Sequence, residues 1–202
     1  MNFKVKALLA IVAVSASSFA LAQNKNFTGF SAGVNANFAD SKLEYSGTNV
    51  GPTSQKSNQS DQNASVQAQY GFGISDKFVV GLGVTYGLGE LKAGTVPAGV
   101  STKTKDISSI NIEPGYVLSA STLAYAKVAF VNAKGESAGG GFVGSSNVSG
   151  TGLGIGFRTM LMGNWYLQGE YVQTNYDKKN VAAGVDIKAD SNSASIGIGY
   201  NF

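Results

Sequence analysis

The sequence predicts an all-β fold: an eight-stranded, antiparallel, up-and-down transmembrane β-barrel. Three observations predict it. Apolar residues alternate with small or polar ones at period two through most of the chain. In the closing stretch SASIGIGYNF, Ala194, Ile196, Ile198, Tyr200 and Phe202 share one face and Ser195, Gly197, Gly199 and Asn201 the other. Charged residues make up 13% of the chain, about half the share of an ordinary soluble protein. After the first two dozen residues, no apolar run is long enough for a spanning helix. Lipid offers no partners to backbone N–H and C=O groups. A chain that avoids both charge and apolar helices therefore crosses a membrane only as a closed sheet.

The N-terminus places the chain in an export pathway. Met1–Lys6 carries two lysines and no acid, and Ala7–Ala16 is a short apolar run. Ala20-Leu21-Ala22 then fits the small-x-small cleavage pattern. Residues 1–22 are expected to be a signal peptide, cut after Ala22 with Ala20 and Ala22 as the recognised small residues. Residues 23–202 are expected to form a single barrel domain. Loss of Lys4 and Lys6 takes the formal charge from +3 to +1. A near-neutral exported chain lacks the basic footprint of a nucleic-acid binder. The sequence has no cysteine, so it offers no disulfide, no lipoprotein anchor and no thiolate metal site.

The strands can be followed in order. The first spans 27–38, with Phe30, Ala32, Val34, Ala36 and Phe38 on the greasy face. The second spans 64–74 and places Val66, Ala68, Tyr70, Phe72 and Ile74 opposite Gln67, Gln69, Gly71 and Gly73. The third, 78–90, sets Val80, Leu82, Val84, Tyr86 and Leu88 against glycines and Thr85. The fourth runs over about 106–118, the fifth 122–133, the sixth about 148–162 and the seventh 165–176. The closing strand is the eighth. An even number suits a single-chain barrel with both termini on one side. Connections alternate as well. Short ones fall at Ser75–Lys77, Ser119–Ser121 and Gly163-Asn164; long polar ones fall near 39–63, 92–105, 134–147 and 177–191. That asymmetry makes the short turns and both termini periplasmic and the long loops external. Phe72, Phe78, Tyr116, Trp165, Tyr200 and Phe202 cluster towards the expected periplasmic interface. Phe38, Tyr86 and Phe130 lie towards the outer one.

With these features the chain resembles the small eight-stranded outer-membrane barrels of the OmpA/OmpX type, within the broad outer membrane protein beta-barrel domain family. The resemblance covers essentially all of residues 23–202. It rests on the signal peptide, the eight alternating strands, the stretch Glu113-Pro114-Gly115-Tyr116 and the ending Gly197-Ile198-Gly199-Tyr200-Asn201-Phe202. It implies residence in the outer membrane of a Gram-negative cell, with lipid and lipopolysaccharide as surroundings. It also implies that the aromatic ending, Tyr200 and Phe202 here, is read by the barrel-assembly machinery. It assigns no specific activity, because members of the family differ in function.

Within the strands, charge is rare enough to be informative. Glu113, Lys127, Arg158 and Glu170 fall inside strands four to seven. Alternation places Glu113 and Arg158 on the lumen face, and Lys127 and Glu170 join them if their hairpins are regular. Glu113 and Lys127 are equidistant from Ala120, and Arg158 and Glu170 are equidistant from Asn164. Two cross-strand ion pairs, Glu113–Lys127 and Arg158–Glu170, are therefore expected. An eight-stranded interior is just wide enough for side chains, and an unpaired ion there is costly. The cluster reads first as a plug that fills and orders the lumen, and second as a gate whose pairs exchange.

Other chemistries fare worse. The run Gly150-Thr151-Gly152-Leu153-Gly154-Ile155-Gly156 keeps a strict period of two and lacks the loop-to-helix context of a phosphate site. There is no histidine, which removes the usual general base of a serine or cysteine nucleophile. The expectation is a non-enzyme without cofactor or metal that stabilises the envelope and presents four external loops. A narrow channel or small-solute carrier is one alternative. An adhesin or host-surface-binding protein, whose loops take an extracellular ligand, is the other.

Overall fold

The computed structural model describes residues 25–46, 55–95, 101–139, 142–182 and 185–202. The expected signal peptide and its cleavage residues Ala20 and Ala22 lie outside them.

The strands are β1 (Gly29–Ser46), β2 (Gln55–Gly73), β3 (Phe78–Leu88), β4 (Leu91–Thr95), β5 (Ser101–Ser119), β6 (Thr122–Gly139), β7 (Phe142–Met160), β8 (Trp165–Tyr176), β9 (Lys179–Ala182) and β10 (Val185–Asn201). Eight of them form the wall, in the order β1-β2-β3-β5-β6-β7-β8-β10, each antiparallel to the next. The last returns to pair with the first, from Ser31 opposite Asn201 to Ser46 opposite Asp186. The wall therefore closes and leaves no open edge within the ring, as a lipid-embedded sheet requires. The two short strands are accessories: β4 pairs with β5, and β9 with β10.

Burial is inverted relative to a water-soluble protein. Val34, Phe38, Ile155 and Tyr171 are at least half exposed on the outer face, while Ser31, Asn35, Gln69 and Gln168 are buried inside. Along β1 the outward apolar row, Phe30 to Phe38, gives way to Asp40, Lys42 and Glu44. Beyond that level the polarity reverses, and the buried inward residues become Ala39 and Leu43. That pattern suits lipid around the lower part of the wall and water around the upper part.

The strands run farther than alternation alone indicates. The segment expected as a loop over 39–63 is largely a continuation of the β1–β2 hairpin, with Asp40 opposite Ser60 and Glu44 opposite Lys56. The 134–147 connection is likewise paired through to Gly139 opposite Phe142. Above the membrane belt the greasy face is no longer needed, but the backbone ladder continues. Between β3 and β5 the chain turns at Gly89, whose φ of 87° lies in the left-handed region. It then lays β4 beside β5. The Lys92 N–H donates to the Asp61 carboxylate at 2.8 Å and the Ser57 hydroxyl donates to the Thr95 carbonyl at 3.3 Å, tying β4 to β2.

At the end with the short turns, the lumen is closed by apolar side chains. Phe27, Val79, Val117, Leu123 and Tyr125 form a buried cluster with Met160 against it. Phe27 arrives on a single 3-10 turn, Lys25–Phe27, that precedes β1. Its carbonyl presses on the β2 backbone so closely that a Cβ on Gly71 would lie 2.1 Å from it.

Candidate functional site: the charged lumen

Above the apolar plug, the wall strands deliver four ions into one layer of the lumen. Glu113 comes from β5, Lys127 from β6, Arg158 from β7 and Glu170 from β8. Glu113, Lys127 and Arg158 are buried, and the Glu170 side chain is 10% exposed. Ile112 pairs with Val128 and Gly115 with Tyr125, so the register sets Glu113 opposite Lys127. Lys127 Nζ lies 3.1 Å from Glu113 Oε1 and 2.5 Å from Glu170 Oε2. Arg158 Nη2 is 3.7 Å from Glu113 Oε2. Two acids and two bases thus compensate each other, which a poorly hydrated space demands.

The expected Glu113–Lys127 pair is brought together, whereas the expected Arg158–Glu170 pair is not. The β7–β8 hairpin is centred on Gly163 rather than Asn164, because Met160 pairs with Tyr166. This sets Arg158 opposite Gln168 and Glu170 opposite Gly156. Gly163, with φ of 67°, supplies the left-handed turn residue. Glu170 is instead reached from β6, across a strand that has no side chains in the way. Tyr125, Gly156 and Glu170 form one cross-strand row. The Tyr125 ring lies over Gly156, where a Cβ would come within 2.4 Å of it, and the Tyr125 hydroxyl donates to Glu170 Oε2 at 3.1 Å. Gly154, in the same strand as Gly156, stands opposite Lys127.

Arg158 is held mainly by neutral groups. Nη2 donates to Gln69 Oε1 and to Gln168 Oε1, both at 2.8 Å, and Nε donates to Gln168 Oε1 at 3.2 Å. Its guanidinium carbon lies 4.6 Å from the centroid of the Tyr166 ring, within cation–π range. Gln67 donates to Tyr166 and exchanges hydrogen bonds with Gln168. Asn35, one layer up, donates to Gln67 Oε1 at 3.2 Å and Ser65 Oγ at 3.3 Å. Gln67, Gln69, Gln168, Tyr125 and Tyr166 are missed by a search for charge. The available signal was their lumen-side position in the alternation, which flags a buried polar group as surely as a buried ion. Tyr125, Lys127, Arg158, Tyr166 and Gln168 are each no more than 5% exposed. Chemically, the layer is a neutral, hydrogen-bonded cross-brace through the lumen.

Tyr200 and Phe202 lie far from this layer, on the outer face at the turn end. The Phe202 N–H donates to the Phe30 carbonyl at 2.8 Å, extending the closing seam by one bond. Ring centroids follow one another along it: Trp165 to Tyr200 at 5.4 Å, Tyr200 to Phe202 at 5.1 Å and Phe202 to Phe30 at 5.5 Å. Among the described residues, no group of histidine, cysteine, aspartate and glutamate is arranged to hold a metal.

A closed eight-stranded wall, greasy outside and braced by ions inside, defines a small outer-membrane β-barrel. The chain belongs to the outer membrane protein beta-barrel domain family, whose model matches residues 7–202. Among solved structures, it is similar to Ail, the attachment invasion locus protein of Yersinia pestis. The identity is 14%, the TM-score is 0.50, and 87% of this chain and 99% of that one are covered. It is also similar to the outer membrane protease OmpT from Escherichia coli, at 8% identity and a TM-score of 0.51, covering 92% of this chain and 99% of that one. Neisserial surface protein A matches at 17% identity and a TM-score of 0.46, over 84% and 97%. At these identities the likeness is one of fold. None of the curated proteins matches this chain in sequence. Family and fold together place the protein in the outer membrane.

Proposed function

We propose that the protein is a non-catalytic barrel that stabilises the outer membrane and presents its four longer connections to the exterior. Its termini and short turns then face the periplasm. The observation that carries this reading is the lumen: an apolar plug at the turn end, with a neutral, buried ion layer above it. Such a core serves rigidity, and each of its carboxylates is already engaged by a cation. The sequence has no histidine, the commonest general base beside a nucleophile. In this reading lipid and lipopolysaccharide surround the wall, and the barrel-assembly machinery recognises the strand that ends in Tyr200 and Phe202. Planar-bilayer recording tests the plug. Reconstituted protein is expected to give no discrete conductance steps, and steady steps at neutral pH would overturn the reading.

A narrow channel is the second reading, favoured by one feature. Lys127 touches two carboxylates at once, so it can release one while keeping the other. Conductance that rises in Glu170→Gln would support it. An adhesive role for the loops draws support from the long β1–β2 hairpin, whose outer run Gln55–Asn63 (QKSNQSDQN) is rich in hydrogen-bonding side chains. Replacing that run with a serine-glycine turn and scoring attachment to host cells would separate adhesion from envelope support.

A further inference from the structure

The outer wall carries a groove of about 800 Å3, backed by the strand segments that hold Tyr125, Gly156 and Glu170. Its walls are Phe78, Tyr116, Ile155, Phe157 and Tyr171, and its floor is Ala124 and Ala126. It exists because the turn-end belt of aromatics is interrupted on β6. Phe78 packs edge-on against Tyr116 at 5.1 Å between ring centroids. The next outward position in that row, paired with Tyr116, is Ala124. On the far side Phe157 is drawn down over Gly169, where a Cβ would meet its ring at 2.7 Å.

The groove begins beside a cation. Lys77, in the exposed turn before Phe78, holds its ammonium 6.0 Å from the centroid of the Tyr116 ring. It makes no ion pair among the described residues. It sits at the level of the aromatic belt, where lipid headgroups lie. We infer that this groove binds one glycerophospholipid, with its phosphate on Lys77 and one acyl chain laid along Ala124 and Ala126. The chemistry requires an anionic phosphate attached to a flexible apolar chain. That the lipid is a phospholipid of the inner leaflet rests on the periplasmic placement of the turns.

Native mass spectrometry of the purified, folded protein with added phosphatidylglycerol tests the site. The expected result is one retained lipid per barrel. Ala126→Phe fills the floor and is expected to abolish retention. Lys77→Gln lies in a turn outside the packed wall and is expected to weaken binding about fivefold, the worth of one lysine at a lipid surface. A diacylglycerol, lacking the phosphate, is expected to bind wild type and Lys77→Gln alike. Equal phosphatidylglycerol retention in Ala126→Phe, shown folded by its gel mobility before boiling, overturns the site. So does a wild-type dimer lost in Ala126→Phe, which would assign the groove to a second copy of the chain. An unchanged affinity in Lys77→Gln overturns the headgroup contact. Labelling of Asp76→Cys by an impermeant maleimide in intact cells would overturn the leaflet assignment while leaving the lipid site standing.

Discussion

At the scale of single residues, the lumen is governed by which side chains are absent as much as by those present. Gly156 lets the Tyr125 ring cross β7 to Glu170. Gly156→Val puts two methyl groups where that ring lies, so it is expected to destabilise the barrel by about 1–3 kcal/mol. Urea unfolding in lipid bilayers measures it, and a neutral result would mean that Tyr125 does not occupy the row. The ion layer makes a sharper prediction. Arg158→Ala leaves Glu113 short of one partner and is expected to cost about 1–3 kcal/mol. In double-mutant cycles, Lys127 and Glu170 are expected to couple more strongly than Arg158 and Glu170, because only the first pair is in contact. The opposite order would restore a hairpin centred on Asn164. Alternation put Glu113 and Arg158 on the lumen side, and regular hairpins carried Lys127 and Glu170 there with them. Partner choice was not legible, because it turns on a one-residue shift in the β7–β8 turn and on glycines that open a path across a strand.

At the scale of elements, eight strands were readable where lipid imposes a greasy face, and their ends were not readable where water replaces it. Along β1 the outward sequence changes at Asp40 from apolar to charged, and the inward one becomes Ala39 and Leu43. The period of two continues through this change while its sign flips, so the segment reads as a polar loop when it is a hairpin. The accessory β4 is invisible for a different reason: beside its ladder with β5, it is tied to β2 by a carboxylate some thirty residues earlier in the chain. Asp61, above the membrane belt, accepts the N–H groups of Lys92 and Gln62 at 2.8 and 2.9 Å. These backbone donors, that of Lys92 first, hold its carboxyl below its ordinary value of 3.8. A lowered folded value means the contribution is present above the ordinary value and lost as pH falls through the folded one. The Lys92 amide resonance is therefore expected to shift with a midpoint below 3.8, and Asp61→Asn is expected to flatten the transition. A midpoint above that value would show that the carboxylate does not seat β4.

At the scale of the whole molecule, stability comes from closure. Every wall strand has two neighbours, and the β1–β10 seam joins the ends of the chain. Opening it anywhere exposes two rows of backbone groups to hydrocarbon, at several kcal/mol for each unsatisfied group. The barrel therefore has no cheap partly open state inside a micelle, and detergent that unfolds helical proteins leaves it compact until heated. Unheated protein in dodecyl sulfate is expected to migrate faster than boiled protein, with strand-type circular dichroism before boiling. The seam also distinguishes two roles for its last residue. Phe202 adds one hydrogen bond to Phe30 and one ring to the outer aromatic row, a small share of the closure. Phe202→Ser is thus expected to keep the heat-shifted mobility when refolded in vitro. If Phe202 is also the residue recognised during insertion, the same variant expressed in cells is expected to lose assembled protein from the outer membrane and leave material in the periplasm. Loss of the shift in vitro would make Phe202 a keystone of the fold. Normal assembly in cells would confine it to anchoring at the interface.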